Sequence, residues 1–136
     1  MKLKELHEAQ KLPTRTVADL KQTYRGRADF DVNQKMLTSL QGSPNKIDKS
    51  FTCGNNYLRS LEGGPAIVKG GYWCHNSTLT SLCGAPKEIG DTFDCSLNKL
   101  KSLKYGPEKV GGNYSTEKVG LKSLDGIASH IGKHLY

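Results

Sequence analysis

The apolar positions of this chain recur at one fixed interval. Leu37, Leu58, Leu79, Leu100 and Leu121 are each 21 residues apart, and so are Leu40, Leu61, Leu82, Leu103 and Leu124. Pro44, Pro65, Pro86 and Pro107 follow in the same register, then Ile47, Val68, Ile89, Val110 and Ile131. A strict period of this length marks a solenoid, in which each unit buries its apolar face against the next.

One unit, counted from Leu79, reads "LTSLCGAPKEIGDTFDCSLNK". Residues 91–96 alternate. Phe93 and Cys95 point one way, and Thr92, Asp94 and Ser96 the other. That is the period-two pattern of a short, half-buried strand. Asn98 follows at a turn, and Leu100 and Leu103 point inward across a corner. Gly84 and Pro86 interrupt the return path, which is expected to be extended or a short tight helix, with Ile89 as its last inward anchor. Ahead of the repeats, residues 2–10 place Leu3, Leu6 and Ala9 on one helical face. Thr16 can cap a second helix with Val17, Leu20 and Tyr24 inward.

The stretch "IGDTFDCSLNKLKSL" resembles the leucine-rich repeat consensus LxxLxLxxNxL, with Ile89, Phe93, Cys95, Asn98 and Leu100 in its positions. The short unit and the "LTSL" phrase resemble the bacterial class of these repeats, and the return segment resembles a variant in small bacterial and phage-encoded proteins. The resemblance implies an α/β repeat solenoid. About five short parallel strands, starting near Phe30, Phe51, Tyr72, Phe93 and Tyr114, would line a concave face opposite an irregular convex side. Residues 1–27 would form a helical N-terminal cap, and residues 28–136 the repeats with a C-terminal cap. The motif speaks for fold and says little about function.

Composition fits a thin repeating core. The chain has 136 residues, 35% of them hydrophobic, and a mean hydropathy of -0.57, low for a globule with a central core. No apolar run approaches the roughly 20 residues of a membrane span. The N-terminus lacks an apolar signal-peptide core, so a cytoplasmic location is expected, and the four cysteines agree with it, since three sit at repeat-core positions and need no disulfide. The net charge of +7 is uneven: +4 over residues 1–27, -1 over 28–98 and +4 over 99–136.

Cys53, Cys74 and Cys95 share one inward column with Val32 and Thr116. They are expected to stack as small buried apolar residues. No CxxC pair and no histidine in that column suggests a metal, and no cofactor is expected. Cys83 belongs to an outward column and is expected to be exposed. The resemblance implies that Asn56 and Asn98 bond turn backbone, with Ser77 a partial substitute, and Lys35 and Val119 unable to do so.

The outward strand positions form three rows. They read Asp29, Ser50, Gly71, Thr92, Asn113; then Asp31, Thr52, Trp73, Asp94, Ser115; then Asn33, Gly54, His75, Ser96, Glu117. These fifteen positions hold no lysine or arginine, in a chain with twenty. The single tryptophan stands at their centre. An aromatic in the middle of an open polar face is the usual form of a binding anchor. The plainer alternative is a tryptophan lying flat over Gly54 and Gly71. His75, Ser96, Asp94 and Glu117 could be drawn as a hydrolytic set, but a flat strand face offers no oxyanion hole and excludes no water.

The expected function is therefore non-enzymatic: binding a partner protein through Trp73, His75, Asp94, Asp31, Thr52, Ser96 and Glu117. The phage-like flavour of the repeat implies a host protein as the one inhibited or modulated. The alternative is electrostatic nucleic-acid binding by a basic edge of Arg59, Lys99, Lys101, Lys104, Lys109, Lys118 and Lys122. Tyr105 is the one aromatic near those lysines. A monomer is the expected state.

Overall fold

The computed structural model describes residues 14–24 and 27–136. These contain one helical turn, α1 (Val17–Leu20), and ten two-residue strands. The strands are β1 (Phe30–Asp31), β2 (Lys46–Ile47), β3 (Phe51–Thr52), β4 (Ile67–Val68) and β5 (Tyr72–Trp73), then β6 (Glu88–Ile89), β7 (Phe93–Asp94), β8 (Lys109–Val110), β9 (Tyr114–Ser115) and β10 (His130–Ile131). Odd and even strands form separate five-stranded sheets, in the orders β1-β3-β5-β7-β9 and β2-β4-β6-β8-β10. All pairings are parallel. Phe30 lies opposite Phe51, Thr52 opposite Trp73, and Asp94 opposite Ser115. The protein is a parallel β-solenoid of about five turns.

The register follows from the repeat. An offset of 21 residues brings identical environments side by side, so each column meets itself in the next turn. In the first sheet, N–H groups donate to carbonyls one turn ahead: Phe30 to Ser50 at 2.8 Å, Val32 to Thr52 at 2.8 Å and Gln34 to Gly54 at 3.0 Å. In the second sheet they donate one turn back, as Lys69 does to Ile47 at 3.0 Å and Gly70 to Lys49 at 2.8 Å.

The second sheet corrects the expectation of an irregular convex side. The return path is extended, and β-branched Ile47, Val68, Ile89 and Val110 are buried along it. Such side chains favour the pleated conformation, and five in register suffice for a ladder.

Between the sheets runs a core one side chain thick per column. Leu37, Leu40, Leu58, Leu61, Leu79, Leu82, Leu100 and Leu103 are buried. The fifth turn departs from this: Leu121 is partly buried and Leu124 is 51% exposed. An aromatic file runs beside the leucines. Successive ring centroids from Phe30 through Phe51, Tyr72 and Phe93 to Tyr114 lie 6.1, 5.0, 5.7 and 5.2 Å apart. These separations suit stacked and edge-to-face pairs.

The expected helical cap is not seen in that form. The predicted helix over residues 2–10 lies outside the described residues. The second helix ends at Leu20, because Lys21 takes the left-handed conformation at φ 54°. Tyr24 therefore sits beyond the helix, yet it still covers the first turn. Its ring meets Phe30 edge-on at 5.5 Å. Its hydroxyl donates to the Ala28 carbonyl at 3.0 Å and accepts from the Asp48 N–H at 2.9 Å. Asp19 holds the helix start by accepting from the Thr16 N–H at 2.8 Å.

Candidate functional site

The outward face of the first sheet gathers most of the residues singled out from sequence. Asp31, Thr52, Trp73, Asp94 and Ser115 are consecutive partners across five strands. Adjacent members are one strand spacing apart, about 4.8 Å. Trp73 thus lies between Thr52 and Asp94. Its indole folds back along its own strand, where a Cβ on Gly71 would collide with the ring. The ring is half-buried and backed by peptide rather than standing free. His75 takes the corresponding place on Gly54, where a Cβ would sit 2.8 Å from His75 Cε1. Each of these glycines makes room for a neighbouring ring.

The carboxylates on this face are partly committed to local turns. Asp31 Oδ1 accepts the Asn33 N–H at 2.8 Å, and Asp94 Oδ1 accepts the Ser96 N–H at 3.0 Å. The Ser96 hydroxyl also donates to Asp94. Ser96 is buried and has no hydrogen bond to His75, whose Nδ1 lacks a partner. The nucleophile–base contact of a hydrolytic set is absent among the described residues. Glu117 stands exposed at the far end.

The row beginning at Asp29 proves structural. Asp29 Oδ1 accepts the Ser50 N–H at 2.9 Å, and Ser50 Oγ accepts the Gly71 N–H at 3.0 Å. Further on, Thr92 Oγ1 accepts the Asn113 N–H at 3.3 Å, and Asn113 Oδ1 accepts the His134 N–H at 3.1 Å. Short polar side chains at 21-residue spacing were the available signal for this ladder.

The inward column behaves as a core. Cys53, Cys74 and Cys95 are buried. Burial pushes all three thiols well above their ordinary range, since a thiolate would be stranded without solvation. Cys83 is partly exposed and donates from Sγ to Glu62 Oε1 at 3.2 Å. That hydrogen bond raises its pKa, the opposite of what an activated thiol needs.

Asparagines hold the turns after β3 and β7. Asn98 Oδ1 accepts the N–H groups of Ser77 and Leu79, both at 3.0 Å. Its Nδ2 donates to the Cys74, Cys95 and Ser96 carbonyls. Asn56 repeats the pattern toward Lys35 and Leu37. Ser77 Oγ accepts only the Leu58 N–H, at 2.9 Å. Gln34, Asn55, Asn76, Leu97 and Lys118, one per turn, all have positive φ between 47° and 56°. Only the asparagines hint at this in the sequence.

The basic residues divide. Lys99, Lys101, Lys118 and Lys122 surround one cleft on the turn edge. Arg59 and Lys99 line a second concavity beside it. Lys104 lies farther along, at the corner before the return path. Lys109 does not belong to this edge. It is in β8 of the second sheet and pairs with Glu88 at 3.6 Å. The period that fixes its column also places it on the opposite side of the core.

Comparison of the chain with protein-family models, with curated proteins and with solved structures finds no match. No described helix is long and apolar enough to cross a membrane.

Proposed function

We propose that the chain is a leucine-rich-repeat-like, non-enzymatic binding module that grips a partner protein on the outward face of its first sheet. The observation that carries this is the placement of Trp73. The outer edge of its indole rests over Gly71, at the centre of a row that runs from Asp31 to Ser115 without a basic residue. A ring fixed this way loses little freedom on binding, which favours affinity. With Asp94 beside it, the ring suits an arginine or lysine of the partner, through stacking and charge together. His75, Thr52 and Glu117 would form the polar surround and Asp31 one rim, with buried Ser96 holding the Asp94 carboxylate in place. On this reading the partner offers a basic patch. A bacterial host protein, inhibited or modulated in the cytoplasm, is the partner that the repeat's phage-like flavour suggests.

Affinity capture from bacterial lysate with wild type, Trp73→Ala and Asp94→Asn tests the reading. A defined protein should be recovered by wild type and lost with both variants. Identical recovery by all three would remove the face from consideration.

A second reading, electrostatic nucleic-acid binding, is supported by the convergence of Lys99, Lys101, Lys118 and Lys122. It requires a mobility shift of single-stranded DNA that weakens steeply with salt.

A further inference from the structure

The turn edge thins at Ser77, which accepts one N–H and leaves that of Asn56 without an acceptor among the described residues, and it loses its acceptor altogether at Val119. In the column of Asn56, Ser77 and Asn98, each side chain accepts N–H groups from the preceding turn. Val119 is next in that column, and it is buried without an acceptor atom. The Asn98 and Leu100 N–H groups, which the repeat would send there, have no acceptor among the described residues. The Gly120 N–H is also free of its ladder bond. Its counterparts on Tyr57, Thr78 and Lys99 donate to the Leu37, Leu58 and Leu79 carbonyls at 2.8, 3.1 and 3.0 Å. The backbone changes with the bonds: Gly120 has φ 80°, and a Cβ built there would meet nothing within 4 Å.

A cleft of about 620 Å³ opens at this point, between the fourth and fifth turns. Lys99, Lys101, Lys118 and Lys122 line it, and no carboxylate does. None of the four is in an ion pair among the described residues, whereas Lys46, Lys69, Lys87 and Lys109 on the other sheet's side all are.

We propose that this cleft is an anion site that takes a phosphate group. Four ammonium groups around one concavity repel each other, and the repulsion is relieved by a polyvalent anion rather than by solvent alone. Backbone N–H groups without acceptors complement the same ligand. Amides beside left-handed residues form anion-binding concavities, and Lys118 has φ 56° next to Val119 and Gly120. Lysine binds phosphate as a point charge and needs no fixed fork. The complete loss of the acceptor at Val119, where Ser77 keeps one bond, is thus what separates this cleft from the turns before it. The inference rests on neither reading of the partner.

The test is amide-resolved NMR titration of the full chain with inorganic phosphate at constant ionic strength, with chloride as control. The Asn98, Leu100 and Gly120 amides should shift together and saturate with phosphate alone. Val119→Asn keeps all four lysines and restores the missing acceptor, and it should weaken binding about tenfold, the loss of one charge-assisted hydrogen bond. Lys101→Gln with Lys122→Gln leaves the turn unaltered and should weaken binding at least as much. No saturable shift in wild type would overturn the proposal. So would Val119→Asn binding as wild type does, which would leave only diffuse attraction to lysines. A short oligothymidylate identifies the source of the phosphate. Competition at the same amides places it in a polynucleotide. Phosphate binding without competition places it in a small molecule, and ends the nucleic-acid reading while the site stands.

Discussion

The Tyr114 hydroxyl rests against Gly106, where a Cβ would lie 3.0 Å from its oxygen. Tyr72 and Gly64 repeat the relation one turn pair earlier, at 3.3 Å. Where the aromatic file has phenylalanine, at Phe51 and Phe93, the corresponding positions carry Ser43 and Ala85. The tyrosine hydroxyl therefore dictates the glycine. Gly106→Ala should destabilise the protein by about 1–3 kcal/mol through overpacking. Part of that cost should vanish in a Tyr114→Phe background, because the ring then ends one atom short. Tyr114→Phe alone should be neutral or stabilising, since the buried hydroxyl has no partner among the described residues. A double-mutant cycle in urea measures the coupling. Strict additivity of the two changes would contradict this account.

The period makes the columns legible, and with them the leucine core and the buried cysteines, while the resemblance to leucine-rich repeats adds the parallel first sheet and the asparagine ladder. What it concealed depended on relations between columns. The fit of Tyr114 to Gly106 links positions eight apart, and the bonding role of the row from Asp29 was not apparent because serine and threonine suit a polar face and a ladder alike. The second sheet was hidden because each of the return strands β2, β4, β6 and β8 buries only one residue, in the column of Ile47, and follows a proline, so no alternation marks it. Lys109 was misplaced for another reason: charge was counted along the chain, whereas the fold sends each return segment to the opposite side.

Asn98 and Ser77 occupy one column with different capacity. Asn98 serves two N–H groups and three carbonyls. Ser77 serves the single Leu58 N–H. Asn98→Ala should cost about 2–4 kcal/mol, since it strands several buried groups, and Ser77→Ala about 1 kcal/mol. Thermal and urea unfolding of the two variants decide the matter. Equal losses would mean that the ladder is not what holds the turns.

Tyr105 occupies a column otherwise filled by Gly42, Gly63, Gly84 and Gly126, all with φ between 84° and 98°. Tyr105 has φ 67° and is 72% exposed, so no burial offsets the strain. A bulky residue is a conformational outlier there. Tyr105→Gly should stabilise the fold by about 1 kcal/mol. A lower unfolding midpoint in urea would show instead that the ring makes contacts worth more than the strain.

Alkaline pH should unfold the protein through its cysteine column. Cys53, Cys74 and Cys95 are buried with pKa values raised above the ordinary 9.0. The native state keeps these thiols protonated where the unfolded chain releases its protons, so the unfolded state binds fewer protons and stability falls with rising pH. The contribution is complete below pH about 9 and is lost above it. Three such groups give a slope of about 4 kcal/mol per pH unit. Tyr72 and Tyr114, raised by the same burial, add to it above their ordinary value of 10.0. Valine already fills this column at Val32, so replacing all three cysteines by valine should retain the fold. The decline should then begin about one pH unit later, where the tyrosines start to ionise. Denaturant unfolding at a series of pH values compares the two proteins. An unchanged alkaline slope in the triple variant would assign the instability to groups outside the column.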